Sequence, residues 1–344
     1  MNYVRVLHIP SHMTYAHGLC RTDFGPVTAP GQPGIGIGEL LRYQSWEFFD
    51  VLHLHTVELT SHDELDSLTS SLRQLDKRLV MTVHDLAPNI ETDVVEHDRK
   101  LATAVAAADA VITLTDESAR QIPGDAGPVG VIPHGRTIQD GAIPERSIAS
   151  SNGPLATFGA LRPNRDLRSL LSAWKQLGAV RPGLRLLLRS VGRADETRDS
   201  SLLAYLRSAA RHDPKLTLGI EPAMLPDADL VAWLRGCSAL VLPYSGITHS
   251  GQLELACDVG LPAVAPDLPT LRDQLRLNHR ENLPVTWFPT QDMNSTRFTA
   301  QLQQATQLCE EGTSNQASWR AWRWHEKSRV LEAHAVAYGV SARR

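Results

Sequence analysis

Two stretches of the chain place charged and hydrogen-bonding residues where a strand gives way to a helix. In FGALRPNRD (158–166) an apolar run stops at Gly159, Arg162 and Arg165 follow in a loop, and a helix is predicted from about Asp166. A glycine at a strand end lets a ligand approach the backbone closely. Arginines beside a helix start favour an anion, and their forked donors match phosphate oxygens in pairs. The competing reading is two solvated loop arginines. In LPYSGITHSGQLELACDVGLPAVAP (242–266) a strand ends at Pro243–Tyr244, small residues follow, and His249, Ser250 and Gly251 open a helix. Amides at a helix start face anything negative, and Ser250 can cap or donate. Glu254, one turn further in, could accept hydrogen bonds from a ribose diol, or it is an exposed glutamate on a capped helix. Both stretches fall at carboxyl ends of strands in the same half, so they could grip one diphosphate together.

Histidines form the second group. His84 ends a strand in TVHD and could donate to a hydroxyl or carry a proton. His53 and His55 share a strand face; they could bind a metal, but no third ligand is evident, and they are read as core or interface histidines. The repeat GIGIG (34–38) lacks the strand–GxGxxG–helix order and the later acidic residue of a dinucleotide site, so NAD binding is not expected.

The elements that must position these residues follow a rhythm. Strand-like runs at 4–9, 50–56, 78–85, 108–116 and 128–133 alternate with helical candidates at 37–48, 63–76, 96–107 and 116–121. Thr115 can cap the last of these, with Asp116 and Glu117 in its first turn. Residues 134–153 are polar and rich in Gly, Ser and Pro, and read as an interdomain linker. The rhythm then restarts, with strands at 154–161, 183–192, 215–220, 238–244 and 261–266 and helices at 166–178, 201–211, 228–236 and 250–259, the last ended by Gly260 as a left-handed cap. Alternation of this kind predicts an α/β protein of two doubly wound, Rossmann-like parallel sheets: 1–136, a linker over 137–153, and 154–324. Ligands of such sheets sit beyond the carboxyl ends of the strands, which makes the cleft between the halves the expected site. Residues 318–340 are predicted helical and, with four aromatics, are read as packing on both halves or docking on one.

The chain has 344 residues with 42% hydrophobic and 21% charged, an ordinary globular mix that excludes coiled coil and disorder. Lys plus Arg is 34 against 38 Asp plus Glu, a net charge of −4, so nucleic acid is not an expected partner. Cys20, Cys237, Cys257 and Cys309 are far apart, with no CxxC, so neither a zinc knuckle nor a disulfide framework is expected. No signal peptide and no membrane-spanning run is read, and the expectation is a cytoplasmic protein, with peripheral contact at the inner face of the membrane left open.

The C-terminal half resembles the nucleotide-sugar-binding domain of family-4 glycosyltransferases of the GT-B fold. FGALRPNRDL is similar to that family's strand–loop, with Arg162 at its Arg and Arg165–Asp166 where Lys–Gly is usual. YSGITHSGQLELACDVGLPAVA resembles its Ser–Gly loop, second glutamate and Gly-Leu-Pro strand. DVLHLHT, VMTVHD, ADAVITLT and VIPHG resemble segments that recur in the family in this order, and the terminal SW…Y segment resembles its crossover helix, which implies that a C-terminal helix at about 325–344 joins the acceptor-binding domain 1–136. The family's paired glutamates stand eight positions apart: Glu254 matches the second, and position 246 is Gly. The resemblance implies a retaining, hexosyltransferase-like enzyme that takes a UDP- or GDP-linked sugar to a glycan, glycolipid or small-molecule acceptor, without a metal or other cofactor. It implies Arg162, Arg165 and His84 as catalytic residues, with His84 near the reacting sugar. Donor binding falls to Gly159, Tyr244, His249, Ser250, Gly251 and Glu254, with backbone near Ile220–Met224 facing the base. The acceptor-side candidates are His17, Gly36 and Asp85, within or after a long loop (10–36) that also holds His12 and Arg21. Asp85, Glu58 and Glu91 are the candidate bases if the reaction inverts. A degenerate relative that binds a nucleotide or glycan, or activates a partner, is the alternative.

Overall fold

The computed structural model describes residues 3–11, 14–28, 34–58, 60–89, 93–122, 126, 128–135, 137–189, 199–277, 283–290, 296–307 and 316–340. The chain divides into two compact units: Met1–Thr137 with Arg323–Arg344, and Ile138–Trp322.

Unit 1 is built on a parallel sheet of β1 (Val4–Ile9), β2 (Phe24–Pro26), β3 (Val51–Leu54), β4 (Arg78–Val83), β5 (Ala110–Thr113) and β6 (Val129–Val131), in the order β2-β1-β3-β4-β5-β6. Its helices are α1 (Thr14–Gly18), α2 (Ile37–Tyr43), α3 (His62–Gln74), α4 (Val94–Ala107) and α5 (Asp116–Ala119). The central strands are nearly all buried, as strands covered on both faces must be. On one face Leu7, Leu52, Leu54 and Met81 meet Leu40, Leu65, Leu68 and Leu101 of the helices. On the other, Val6, Val51, Val80 and Ile112 meet Tyr15, Val330, Ala335 and Tyr338. Thr115 caps α5 as its sequence predicts, its hydroxyl accepting from the Ser118 amide at 3.1 Å.

Unit 2 repeats the plan with β7 (Leu155–Gly159), β8 (Leu184–Arg189), β9 (Leu216–Glu221), β10 (Ala239–Val241), β11 (Ala263–Pro266) and β12 (Val285–Phe288), parallel in the order β12-β11-β10-β7-β8-β9. Its helices are α6 (Leu167–Gln176), α7 (Ser200–His212), α8 (Asp227–Leu234), α9 (Gly251–Val259), α10 (Pro269–Leu277) and α11 (Thr296–Gln307). Helix α6 shows why periodicity served here: Leu167, Leu170, Leu171 and Trp174 are all buried on one stripe. The last helix, α12 (Gln316–Ala337), is shared: its residues up to Trp322 belong to unit 2 and those from Arg323 to unit 1. Among the described residues no helix is long and apolar enough to cross a membrane.

Two expectations change. The polar segment expected as a linker is part of unit 2: Ile138, Ile143 and Ile148 are buried in its core. Composition marked the segment as irregular, which it is, but three isoleucines in a coil still remove apolar surface from water. The region read as one long loop after β1 holds α1 and β2, elements too short for any periodicity to register.

Candidate functional site

In each sheet the strand order reverses once, between β1 and β3 in unit 1 and between β7 and β10 in unit 2. The crevice beyond the strand ends at such a reversal is where doubly wound sheets bind ligands. In both units some of the residues singled out in the sequence lie there.

In unit 2 the loop after β7 and the loop after β10 are tied together. Arg165 and Tyr244 form a β-bridge, the Ser245 amide donates to the Asn164 carbonyl at 2.9 Å, and Asn164 Nδ2 donates to the Gly246 carbonyl at 3.0 Å. Asp166 caps α6 by accepting from the Ser169 amide at 2.9 Å. Arg165 is only 7% exposed. Its Nη1 donates to the Phe158 carbonyl and its Nη2 to the Tyr244 hydroxyl at 2.9 Å, while Nε has no partner. Gly159 has φ +131°, and a Cβ there would clash with the Arg165 guanidinium. The glycine expected to admit a ligand instead admits the neighbouring arginine.

Arg162 is exposed in the same loop. A third arginine, Arg189, ends β8 with its guanidinium 4.8 Å above the Phe158 ring and its Nε without a partner. Burial, then the charges of Arg165 and Arg162, pull Arg189 down to about 10 despite the opposing influence of Tyr244. Among the described residues none of the three arginines forms an ion pair with a carboxylate.

The start of α9 is more self-contained than its sequence suggests. Ser250 caps it, accepting from the Leu253 amide at 3.2 Å, and the Ser250 amide itself donates to Gln274 Oε1 at 3.1 Å. Glu254 is 1% exposed, and its Oε1 takes bonds from Gln274 Nε2 at 3.0 Å and faces His249 Nε2 at 3.3 Å. It is therefore a buried network carboxylate rather than an exposed one. Gly251 is half-buried, Ile220 half-buried at the end of β9, and Met224 exposed.

In unit 1 the reversal is lined with imidazoles. Along β1, β3 and β4 the face that meets α12 runs Val6–His8, Val51–His53–His55 and Val80–Thr82–His84, apolar within the sheet and polar at its carboxyl end. His8 is the register partner of His53. His8 Nδ1 faces His55 Nε2 at 2.9 Å, and His55 Nδ1 faces His84 Nε2 at 3.2 Å. His53 reaches the Tyr338 hydroxyl through Nδ1 at 2.8 Å and the Thr82 hydroxyl through Nε2 at 2.7 Å. His334 Nδ1 bonds the Val330 carbonyl at 2.7 Å, so it carries the hydrogen, and Nε2 accepts from the Tyr15 hydroxyl at 2.8 Å. Burial, with the neighbouring imidazoles adding to it, holds His53 and His55 well below the ordinary histidine value; burial takes His334 down to about 4.

Of the remaining candidates, Asp85 is half-buried in a small cavity shared with His55, His84 and His97. Gly36 precedes α2 and lines a recess with Ser11, Gly34 and Thr56. Glu58 is buried and accepts from the Asn89 amide at 2.7 Å. Arg21 pairs with Asp23. His17 belongs to α1, and His12 and Glu91 lie outside the described residues. Sequence reasoning missed His8 and Arg189. Both had a signal: each is a polar residue at or next to the carboxyl end of a largely apolar strand, in VRVLHI and LRLLLR.

A scan of protein-family models finds no match, and neither does a search of curated sequences. Solved structures do match. HepE from Anabaena, solved in complex with UDP, is 12% identical over 99% of this chain and 100% of its own, with a TM-score of 0.66. Sucrose-phosphate synthase from Thermosynechococcus elongatus is 14% identical over 92% of this chain and 84% of its own, with a TM-score of 0.63. A UDP-forming trehalose-phosphate synthase from Burkholderia xenovorans is 14% identical over 89% of this chain and 77% of its own, at 0.60. With its two six-stranded, Rossmann-like sheets, the chain has the GT-B fold.

Proposed function

We propose that the chain is a glycosyltransferase that moves a sugar from a nucleoside diphosphate donor to an acceptor hydroxyl. The observation that supports this best is the trio Arg162, Arg165 and Arg189, gathered at the strand reversal of unit 2 with no carboxylate partner among the described residues. Gathered like charges repel, and an anion placed among them relieves the repulsion. Two phosphates in tandem match the paired donors of guanidinium groups. UDP is the first nucleotide to try, since HepE was solved with it and the trehalose-phosphate synthases form it.

As the bond from the sugar to the diphosphate breaks, negative charge grows on the departing oxygen. Arg162, Arg165 and Arg189 stabilise it, an electrostatic contribution of typically a few kcal/mol per donor. Cationic side chains take the place of a metal at the phosphates. The acceptor attacks from the leaving-group side and yields its proton to the diphosphate, giving retention, the outcome studied in a trehalose-6-phosphate synthase of similar fold. Glu254 and its network hold the ribose, backbone near Ile220–Met224 faces the base, and Gly251 adds a helix-start amide. In unit 1, Gly36 and Asp85 serve the acceptor, and His84 the reacting sugar.

Calorimetry with UDP and GDP in the presence of EDTA tests the donor site, followed by turnover across a panel of UDP- and GDP-sugars with the product anomer read by NMR. Absence of nucleotide binding by the intact chain would sink the reading. Gly246, standing where the resembled family has its first glutamate, favours a second reading: a degenerate GT-B protein that binds a nucleotide or glycan, or activates a partner. Tight UDP binding with no donor hydrolysis across the panel would select it.

A further inference from the structure

The histidines of unit 1 do more than fill a core. An imidazole removed from water needs partners for both nitrogens, and leucine or valine would pack the same space with none to satisfy. Yet His8, His53 and His55 are all buried at the strand reversal, and one ring nitrogen from each lies within 4.8 Å of the others. His8 and His53 come from two adjacent strands, and His55 is the first residue past the end of β3. The register pairs His8 with His53, and the two-residue period puts His53 and His55 on one face. The third ligand that β3 alone lacks is supplied by β1.

We propose that His8, His53 and His55 form a site for one divalent transition cation of the zinc–cobalt–nickel class.

The ligand chemistry fits. Neutral imidazoles are common ligands for these ions, and three of them with one open position is a familiar tetrahedral arrangement. His8 Nδ1 and His55 Nε2 already face each other at 2.9 Å, a contact in which one nitrogen holds the shared hydrogen. Two ligands at 2.0–2.1 Å from a tetrahedral ion stand about 3.3 Å apart, so admitting the ion asks for a shift of a few tenths of an ångström. His53 needs no reorientation of its backbone. One of its nitrogens takes the ion, the hydroxyl bonded there gives way, and the other hydroxyl of the pair Thr82 and Tyr338 keeps the ring in place. His84 does the same for His55 through Nδ1. Such outer partners fix ring orientation in metal sites generally. A small cavity beside His55 is also lined by His84, by the carboxylate-bearing Asp85 and by His97, whose two ring nitrogens have no hydrogen-bond partner.

The test uses the full chain after chelator treatment, titrated with Co2+ and Zn2+. The expected result is one ion per chain and the intense visible absorption of four-coordinate cobalt. His8→Asn and His55→Gln should each weaken binding at least a hundredfold, and His84→Gln about tenfold, as an outer partner. His212→Gln, on the exposed end of α7, should leave the affinity unchanged. Because a buried substitution can unfold the unit, X-ray absorption on the zinc-loaded unsubstituted chain reads the site directly, with three nitrogens at about 2.0 Å. Absence of a stoichiometric site, a pale six-coordinate cobalt spectrum, or a site lost in His212→Gln and kept in His8→Asn would overturn the proposal.

Discussion

The two sheets share an architecture and diverge at the same place. At the reversal of unit 1, neutral rings bond one another and the hydroxyls around them. At the reversal of unit 2, guanidinium groups crowd together, with the Nε atoms of Arg165 and Arg189 buried and unbonded. The first edge bonds largely within itself as long as its rings stay neutral. The second carries charge at every ordinary pH, and among the described residues no carboxylate pairs with it. Identical topology therefore does not dictate identical chemistry: the side chain that ends each strand does.

Acid should separate the two edges most. Burial holds His53, His55 and His334 of unit 1 below the unfolded value near 6.5, so the stability they contribute is complete above it and drains away as pH falls. For His334, held at about 4, the loss amounts to about 3 kcal/mol once pH is below both values. In metal-free protein, hydrogen exchange at about pH 4.5 should show β3 losing protection while β7 keeps it. Equal protection in both would erase the distinction.

Next in size is Arg165→Ala. It removes bonds to the Phe158 carbonyl and the Tyr244 hydroxyl, for a loss of about 2–3 kcal/mol in denaturant titration. A loss under about 0.5 kcal/mol would mean the group does not tie the two loops. Arg189→Ala should act in the opposite sense on stability, leaving it level or slightly raised because a repelling charge is gone. UDP affinity should fall about tenfold to thirtyfold, as for a lost charge-assisted bond of about 1.5–2 kcal/mol. Unaltered affinity would remove Arg189 from the anion site. Smallest is Ser250→Ala, about 1 kcal/mol of stability through the lost cap of α9, read by thermal melting.

Much of this is legible in the sequence. Alternating runs mark ten of the twelve described strands, β1 falls on the very residues 4–9 predicted for it, and Thr115 opens its helix and Gly260 closes its own as their types foretell. What periodicity could not reach was pairing across strands. Nothing local to LRLLLR says that Arg189 will stand beside Arg165, and nothing in DVLHLHT says that His8, 45 residues before His53, is its register partner. Irregular segments misled for a related reason: Ile138, Ile143 and Ile148 carry no helical or strand period, so their burial appears only once unit 2 is folded around them.

The continuous helix α12 limits how the molecule can be dissected. A fragment stopping at Thr137 would retain all six strands of its sheet but lose Val330, Ala335 and Tyr338, leaving one side of that sheet wet. A fragment spanning Ile138–Trp322 keeps Trp319, whose indole donates to Asp258 at 3.1 Å. Isolating the amino-terminal lobe therefore requires splicing the last helical turns back on, whereas its neighbour can be excised as one uninterrupted piece.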